Sequence, residues 1–375
     1  MTAFEPAAML ADDWRDGTFL GRIETAEGPS PVIVAGGVLH DMSRVAPTVS
    51  QLVADRAFDA STGVALSELG GQGGGPTLLS PVDLQCVKAA GVTFAVSALE
   101  RVIEERARGD FSRAAEVRSG LEARIGGGIR GVKPGSDEAM ALKQALIDEG
   151  MWSQYLEVAI GPDAEIFTKS PVLSTVGWGA EIGVRSDSTW NNPEPEVAVL
   201  ADSHGEPVGA TLGNDVNLRD FEGRSALLLS KAKDNNASCS IGPFVRLFDA
   251  TFTMDDVRAA EVDLLIEGED GYVLKGHSSM REISRDPTDL LAQAMSEHHY
   301  PDGYVLFLGT LFAPTQDRDE PGRGFTHKVG DVVTISTPKL GRLVNRVVHS
   351  RSARPWTLGI TGLMKNLHAR GLLTA

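Results

Sequence analysis

Three carboxylates around one predicted hairpin are the residues of this chain best suited to chemistry. Glu194 and Glu196 lie two positions apart, so both side chains point to one face if the segment is extended. Apolar runs on either side of a turn rich in glycine and proline predict an antiparallel hairpin over residues 197–212. The returning strand would end at Asp215 and bring it beside Glu196. We therefore expect three carboxylates to converge at one end of the hairpin.

Such a group of acids has two interpretations. If the carboxylates are buried, either one is protonated or a cation binds there, because each uncompensated buried charge costs several kcal/mol. A site made only of oxygen ligands, without cysteine or histidine, suits Mg²⁺ or Mn²⁺ better than Zn²⁺. The alternative is a surface hairpin with three solvated acids, since acids are common near turns.

Three lysines are candidates to act beside these acids. Lys231 and Lys233 follow Asp215 in the chain. A lysine beside a bound metal has a lowered pKa, which moves it toward the range of a general base. Lys169 can pair with a substrate carboxylate as a point charge. The alternative for all three is an ordinary surface position.

Two further positions have polar groups at the ends of predicted elements. Glu100 lies in the first turns of a predicted helix, where it is either a positioned acid or base or simply a favourable acid near a helix start. Gly309 and Thr310 follow an apolar strand and can offer backbone N–H groups and a hydroxyl to an anion. Otherwise the pair only terminates the strand.

The elements that must hold these residues form a β-rich chain with a helical insertion. At about 150 residues per domain, 375 residues predict two domains. Residues 1–78 are predicted to form a small β-rich N-terminal domain, with the glycine run 70–76 as the linker. Residues 79–375 form the larger domain, in which 97–150 are helical. Strand signals dominate afterwards, beginning with a predicted strand over 156–160.

Composition excludes several classes of protein. The chain is 42% hydrophobic and 23% charged, as in ordinary globular proteins. A net charge of -16 argues against a nucleic-acid binder, and an anionic substrate would need local cations or a metal. Cys86 and Cys239 are expected to be core thiols without a disulfide. No run of 18 apolar residues occurs and no secretory leader is recognised, so we expect a soluble, cytoplasmic protein.

The order and context of several motifs resemble the fumarylacetoacetate hydrolase superfamily. These motifs are Glu194-x-Glu196, the run 213–220, Lys233 before the run 237–243, Gly309-Thr310, and the closing run 329–345. The resemblance implies an α+β, β-rich fold: a rolled mixed β-sandwich with a small N-terminal β domain and a helical lid. It also implies that Glu194, Glu196 and Asp215 bind Mg²⁺, with Mn²⁺ as a substitute, and that Lys233 works beside the metal.

One departure from the superfamily narrows the function. Its hydrolases and decarboxylases usually carry Tyr-x-x-His-x-x-Glu at the lid helix, where the His–Glu pair activates water. Here Ser97 stands at the histidine position and Glu100 is kept, which leaves C–C hydrolysis without an obvious base. The phrases around both residues instead resemble a branch that dehydrates 2-keto-3-deoxy-D-xylonate, which is the same compound as 2-keto-3-deoxy-D-arabinonate. That reaction yields 2,5-dioxopentanoate in oxidative pentose degradation.

The resemblance assigns a role to each candidate residue. Lys233 would remove the C3 proton or hold the enolate oxygen, and Glu100 on the lid would protonate the departing C4 hydroxyl. The remaining expectations concern substrate binding: Lys169 and Thr310 for the carboxylate, Ser186, Asp187 and Asn191 for the C4 and C5 hydroxyls, and Ser97 on the lid. The family resemblance also implies a homo-oligomer, a dimer or tetramer.

Two alternatives remain. Within the superfamily, the protein would be a hydrolase or decarboxylase of a small diketo acid that uses Glu100 and water. From another class, it would be a metal-stabilised β-sandwich that binds a ligand without chemistry. The products separate the three: a dehydratase gives one aldehyde, a hydrolase gives two acids, and a binding module gives neither.

Overall fold

The computed structural model describes most of the chain. The described residues are 9–68, 76–110, 112–114, 116–118, 132–312, 314, 316–320 and 324–373. Six of the seven residues of the predicted glycine linker, 70–75, lie outside this part of the chain. Within it, no helix is both long enough and apolar enough to span a membrane.

Strands make up most of the regular structure. They are β1 (Thr18–Thr25), β2 (Gly28–Ala35), β3 (Val38–Asp41), β4 (Val64–Glu68), β5 (Leu78–Leu79), β6 (Cys86–Gly91), β7 (Glu165–Ser170), β8 (Glu181–Val184), β9 (Asn191–Asn192), β10 (Pro195–Ala201), β11 (Pro207–Asp215), β12 (Asn217–Leu218), β13 (Cys239–Leu247), β14 (Glu261–Glu267), β15 (Val273–Ser279), β16 (Tyr304–Phe307), β17 (Val332–Thr337) and β18 (Gly341–His349).

The helices are short, and all but the last lie between strands in the chain. They are α1 (Val49–Ala54), α2 (Ala95–Ala107), α3 (Asp137–Asp148), α4 (Gln154–Ile160), α5 (Arg219–Glu222), α6 (Leu229–Lys233), α7 (Met254–Arg258), α8 (Pro287–Met295) and α9 (Ile360–Ala369).

The predicted hairpin is β10–β11, and it lies in the middle of the larger sheet. The order of strands in that sheet is β4-β3-β2-β1-β13-β11-β10-β16-β6-β7, with β5 paired to β1. Every residue of β10 is buried, because its alternate side chains enter two different cores. Val197 and Val199 face one core, whereas Ala198 and Leu200 face the other. A surface hairpin is therefore excluded.

The N-terminal strands belong to the same sheet as the hairpin. Strand β1 runs antiparallel to β13, where Phe19 pairs with Arg246 and Leu20 with Val245. Strand β13 in turn pairs with β11. Hydrogen bonding thus continues from β4 to β7, and the division into two domains near residue 78 stays a prediction.

A second sheet packs on the first and completes a sandwich. Its order is β15-β14-β17-β18-β8, in which β18 and β8 are parallel and the other pairs antiparallel. Leu264 and Ile266 of β14 and Ile335 of β17 share one buried cluster with Val197 and Val199. Sheets that pack face to face join their inner side chains in this way. The expected α+β, β-rich fold with a mixed sandwich is confirmed.

The helical segment packs beside the hairpin and contains one correction. Residues 156–160 were expected to form a strand but belong to helix α4. The Ser153 side chain caps this helix by accepting the Tyr155 N–H. Its apolar residues follow helical spacing, and they pack in one cluster with Val102 and Ile103 of α2. Ser136 caps α3 as predicted.

Candidate active site

Strand pairing brings the three carboxylates together. Glu194 precedes β10, Glu196 lies in it, and Asp215 ends β11. The Asp215 N–H donates to the Glu194 carbonyl at 3.0 Å, so Asp215 lies opposite Glu194, whereas Glu196 pairs with Gly213. One oxygen from each carboxylate lies within 4.8 Å of the others, and all three residues are buried. This geometry matches the predicted convergence, with Asp215 opposite Glu194 instead of Glu196, two residues from the expected partner.

The cations around the three acids are unevenly distributed. The Lys169 Nζ lies 2.7 Å from Asp215 Oδ1, and the Lys233 Nζ lies 3.0 Å from Asp215 Oδ2 and also binds Glu194 Oε2. Among the described residues, no lysine or arginine pairs with Glu196. Its carboxylate accepts the Gly309 N–H at 2.6 Å, which gives that amide an anionic partner within the protein.

This uneven distribution of cations shifts the pKa values of Glu196 and Asp215 in opposite directions. Burial, together with the charges of Asp215 and Glu194, raises the pKa of Glu196 well above its ordinary value. Burial also acts to raise the pKa of Asp215, but the ammonium groups of Lys169 and Lys233 overcome it and lower that pKa. Without a cation beside it, Glu196 is therefore driven toward its protonated form, because the neighbouring residues do not compensate its negative charge.

The donor set fits a hard divalent cation. Three buried carboxylates offer one oxygen each, with no sulfur or imidazole among them. A divalent ion would also compensate Glu196, whose raised pKa comes from burial and like charge. Glu194, Glu196 and Asp215 are thus the residues that would hold Mg²⁺ or Mn²⁺.

The three candidate lysines have different surroundings. Lys231 is exposed, and its Nζ lies 5.2 Å from the centre of the Phe221 ring. Lys233 ends α6 and is buried beside the acids. Burial acts to lower the pKa of Lys233, but Asp215, Glu194 and Glu222 raise it overall. That direction is opposite to the lowered pKa expected beside a metal, because carboxylates surround the ammonium group.

Lys169 pairs with Asp215 and is not among the residues that line the pocket. Its side chain is fully buried, and Nζ also donates to the carbonyl oxygens of Val216, at 3.2 Å, and Lys233. These contacts hold the ammonium group behind Asp215. The geometry supports a role in fixing this carboxylate, and the predicted contact with a substrate carboxylate stays a prediction.

Helix α2 reaches over the acids with one arginine. Arg101 Nη2 lies 2.5 Å from Glu194 Oε1, and Nη1 lies 2.7 Å from Glu104 and 3.0 Å from Glu222. Near the start of the same helix, the Ser97 hydroxyl donates to the Phe94 carbonyl at 2.8 Å. Ser97 and Arg101 both line the pocket in front of the carboxylates.

Glu100 lies on another face of α2. Its carboxylate accepts from Arg118 at 2.6 and 3.0 Å and from Arg219 at 2.9 Å. It is not among the residues that line the pocket. The acid role predicted for Glu100 stays a prediction and would require its two ion pairs to rearrange.

The pocket contains acids that the sequence reasoning did not single out. It encloses about 340 Å³, open solvent at its mouth included, and Glu165, Phe167, Glu222 and Thr310 lie in its wall. Glu165 and Phe167 alternate along β7 and face the pocket, a period-2 signal that was available in the sequence. Glu222 has no comparable local signal and is placed by α5.

Both additional acids have raised pKa values. Burial raises the pKa of Glu222 to about 7, although Arg101 and Lys233 act against it. Burial is also the main cause of the raised pKa of Glu165. A carboxyl group that titrates near neutral pH is suited to give and take a proton.

The predicted hydroxyl-reading residues are separated from the pocket. Ser186 and Asp187 are exposed in a turn after β8, where Asp187 pairs with Arg185 at 2.7 Å. Asn191 is buried, and its side chain contacts Ser188 and the His327 N–H. None of the three is in the pocket wall. Thr310 is in the wall, and its Oγ1 accepts the Phe312 N–H at 3.1 Å.

Comparison with known families identifies the fold. Residues 137–348 match the family described as fumarylacetoacetate (FAA) hydrolase C-terminal. This span covers more than half of the chain and includes all three carboxylates. The chain belongs to the fumarylacetoacetate hydrolase family. Helix α2, with Arg101 and Glu100, lies before the matched span.

Two curated relatives within this family are named for one kind of reaction. The chain is 31% identical over 190 residues to 2-dehydro-3-deoxy-D-arabinonate dehydratase of Saccharolobus solfataricus, covering 50% of this chain and 59% of the relative. It is 32% identical over 200 residues to a protein of Haloferax volcanii named "Probable 2-keto-3-deoxyxylonate dehydratase", covering 53% and 65%. The chain thus spans 59% and 65% of the lengths of these relatives.

Solved structures of family members share the fold. The apo form of 2-keto-3-deoxy-D-arabinonate dehydratase has a TM-score of 0.64 at 21% identity, covering 88% of this chain and 99% of that one. The same enzyme complexed with magnesium and 2,5-dioxopentanoate gives 0.62 at 20% identity, with the same coverage. A fumarylacetoacetate hydrolase from Exiguobacterium antarcticum gives 0.56 at 16% identity, also with 88% and 99% coverage.

Proposed function

We propose that this protein is a hydro-lyase that converts 2-keto-3-deoxy-D-xylonate, also called 2-keto-3-deoxy-D-arabinonate, to 2,5-dioxopentanoate. The observation that carries the proposal is the buried site of Glu194, Glu196 and Asp215 beside Lys233, in a pocket with several acids in its wall. Two relatives named as dehydratases of this substrate class support it. Its place would be oxidative pentose degradation, in a cytoplasmic homo-oligomer.

Removal of the C3 proton needs a nearby positive charge. A divalent ion such as Mg²⁺ on the three carboxylates would act as a Lewis acid that stabilises negative charge on the C2 keto oxygen. Lys233 reaches the same place, between Glu194 and Asp215. Because Glu194 and Asp215 already accept from its ammonium group, we assign Lys233 to hold the enolate oxygen and the Glu165 carboxylate of the pocket wall to accept the C3 proton.

Departure of the C4 hydroxyl needs a proton donor. Glu222 suits this step because it lies in the pocket wall and its pKa is raised to about 7 by burial. Glu100 is the second candidate, since it lies on α2 one position from Arg101. Its carboxylate is engaged by ion pairs with Arg118 and Arg219 and lies outside the pocket wall.

The pocket also favours a particular substrate tail. Glu165 and Glu222 can hydrogen-bond the C4 and C5 hydroxyls in either protonation state, whereas a second substrate carboxylate would repel whichever of the two acids is ionised. A side chain at Gly91 would collide with the Glu165 carboxylate, with atoms 2.2 Å apart, so this glycine leaves the acid its place. The acidic wall therefore supports a sugar acid over a dicarboxylic diketo acid.

Hydrolysis of a small diketo acid is the alternative activity. It needs a base to activate water, and no described residue of the pocket wall is a histidine. Ser97 occupies the place expected for the imidazole and binds the Phe94 backbone. This arrangement supports dehydration over hydrolysis.

The test uses the purified full chain, first freed of metal and then supplied with Mg²⁺. 2-Keto-3-deoxy-D-pentonate is added, and the product is detected as an aldehyde through a coupled semialdehyde dehydrogenase. We expect aldehyde release that depends on Mg²⁺. Cleavage of a diketo acid into two acids, without aldehyde from the sugar acid, would favour the alternative. Absence of both reactions with Mg²⁺ bound would point to a binding protein.

A further inference from the structure

Arg101 makes contacts of two different kinds. Its Nη1 lies 2.7 Å from Glu104 and 3.0 Å from Glu222, and neither acid belongs to the group of three. Its Nη2 lies 2.5 Å from Oε1 of Glu194, which does belong. One nitrogen therefore anchors the guanidinium group, and the other meets a carboxylate that a cation would use.

Both oxygens of Glu194 are engaged by protein cations. Arg101 binds Oε1, and Lys233 binds Oε2. A divalent ion that ligates Glu194 must share an oxygen with one of these side chains or replace it. Lys233 lies between two of the carboxylates and keeps Asp215 as a partner, whereas Arg101 touches Glu194 alone among the three.

Release from Glu194 would leave Arg101 with an available donor at the pocket. Nη1 would still be held by Glu104 and Glu222, so the planar group would stay in place while Nη2 lost its acceptor. Arg101 lines the pocket, and its side chain is only 12% exposed. Hydrogen bonds from such a desolvated guanidinium to a carboxylate are strong.

We propose that Arg101 exchanges partners: it gives up Glu194 when that residue ligates a divalent ion, and its Nη2 then binds the C1 carboxylate of a 2-oxo acid. Arg101 is thus a specificity-determining residue that couples the metal site to substrate binding. The choice of a 2-oxo acid rests on the proposed function, whereas the competition for Glu194 does not.

Other cations in the site are less suited to this task. Lys169 is fully buried, with Asp215 and two backbone carbonyls as acceptors. Lys233 bridges Glu194 and Asp215 and would remain beside a bound ion. Arg101 alone among these three both lines the pocket and contacts just one of the three carboxylates.

The proposal is tested by binding rather than by turnover. We would measure by calorimetry the affinity of Arg101→Gln for Mg²⁺ without other ligands, and then for pyruvate in the presence of Mg²⁺. We expect Mg²⁺ to bind about fivefold more tightly, because a competitor for Glu194 is gone. The affinity for pyruvate should fall by at least about tenfold, because a charged hydrogen bond is lost.

Matched controls separate this role from a structural one. Arg106→Gln removes an exposed arginine from the same helix, and both affinities should stay unchanged. Pyruvamide, which lacks the carboxylate, should bind the Arg101→Gln variant and the unaltered protein alike. Arg101→Lys keeps the charge without the fork, and it should recover part of the pyruvate affinity if Arg101→Gln folds poorly.

The outcomes are distinct from those of the proposed function. Parallel loss of Mg²⁺ and pyruvate affinity in both Arg101 variants, or no change in either, would overturn the exchange. Opposite shifts in a protein that fails to dehydrate the sugar acid would keep the exchange and remove the assigned reaction. Dehydration without the opposite shifts would keep the reaction and remove the exchange.

Discussion

Two regions of this molecule supply charges to the same pocket, and they are built differently. Glu194, Glu196 and Asp215 belong to a hairpin in the middle of a sheet, where backbone pairing fixes their positions. The charges on α2 and α5 are held chiefly by ion pairs between side chains. The backbone therefore holds the first region in one arrangement, whereas the side chains of the second region can exchange partners.

The two regions also differ in how far apart their interacting residues lie in the sequence. The three carboxylates lie within 22 residues, from 194 to 215, so spacing and strand period locate them. Arg101 meets Glu194 across 93 residues, and Arg219 meets Glu104 and Glu100 across 115 and 119. No local pattern encodes such pairs. We expect the two regions to differ in the same way in what they contribute to turnover and to stability.

The largest expected effect is on the hairpin. Glu196→Gln keeps an acceptor for the Gly309 N–H but removes the charge that a cation would need. We expect turnover to fall by about 10³-fold, because a Lewis acid contributes several kcal/mol. Calorimetry should show weaker Mg²⁺ binding with an unchanged melting temperature. Normal Mg²⁺ affinity would remove Glu196 from the metal site.

The next effect is on stability, in the helical region. Arg219 is buried against the Trp190 ring, 4.3 Å from its centre, and pairs with Glu104 at 2.6 Å and Glu100 at 2.9 Å. Arg219→Met should lower the free energy of unfolding by about 3 kcal/mol, because it removes one of the two cations beside each of the buried carboxylates Glu100 and Glu104. Urea unfolding measures this. A loss below about 1 kcal/mol would mean that the ion pairs are not what holds this region.

A comparison of two acids tests the assignment of the proton donor. Glu222→Gln should lower turnover by about 10²-fold, and Glu100→Gln by clearly less. In the unaltered protein, turnover should fall as pH rises through about 7, because Glu222 donates only while protonated. That limb of the pH–rate profile should vanish in Glu222→Gln. The opposite ranking of the two variants would return the acid role to Glu100.

The smallest effect concerns local helix formation. Ser136 caps α3 by accepting the Ala139 N–H, and Ser136→Ala should cost about 1 kcal/mol of stability. Ser136→Asp keeps an acceptor and is the matched control. Turnover should not change, since α3 contributes no residue to the pocket wall. A change in turnover without a change in stability would indicate that α3 acts on the site.

These contrasts explain what the sequence could and could not reveal. The hairpin, its three acids and the buried Lys233 follow from strand period, turn residues and family resemblance. Residues 156–160 were misassigned as a strand because a short apolar run fits both periods, and the cap at Ser153 decides for a helix. Arg101 and Glu222 were missed because tertiary contacts alone bring them to the pocket.

Distance along the sequence and distance in the structure also differ for several residues expected to bind substrate. Ser186 and Asp187 are near the acids in sequence but lie in an exposed turn. Lys169 of β7 is far away in sequence but meets Asp215, although three strands separate β7 from β11 in the order of the sheet. Proximity along the chain therefore does not decide which side chains reach the three acids, and the substrate-binding roles of these residues stay predictions.

The continuity of the large sheet limits how far the N-terminus of this protein can be truncated. Strand β1 pairs with one side of β13, and β11 pairs with the other side. The first residue of β13, Cys239, lies opposite Asp215. A chain shortened to begin at residue 79 would present β13 as an open edge, with unpaired backbone groups that favour aggregation. The N-terminal strands therefore cover this edge of β13, and we expect a chain without them to aggregate.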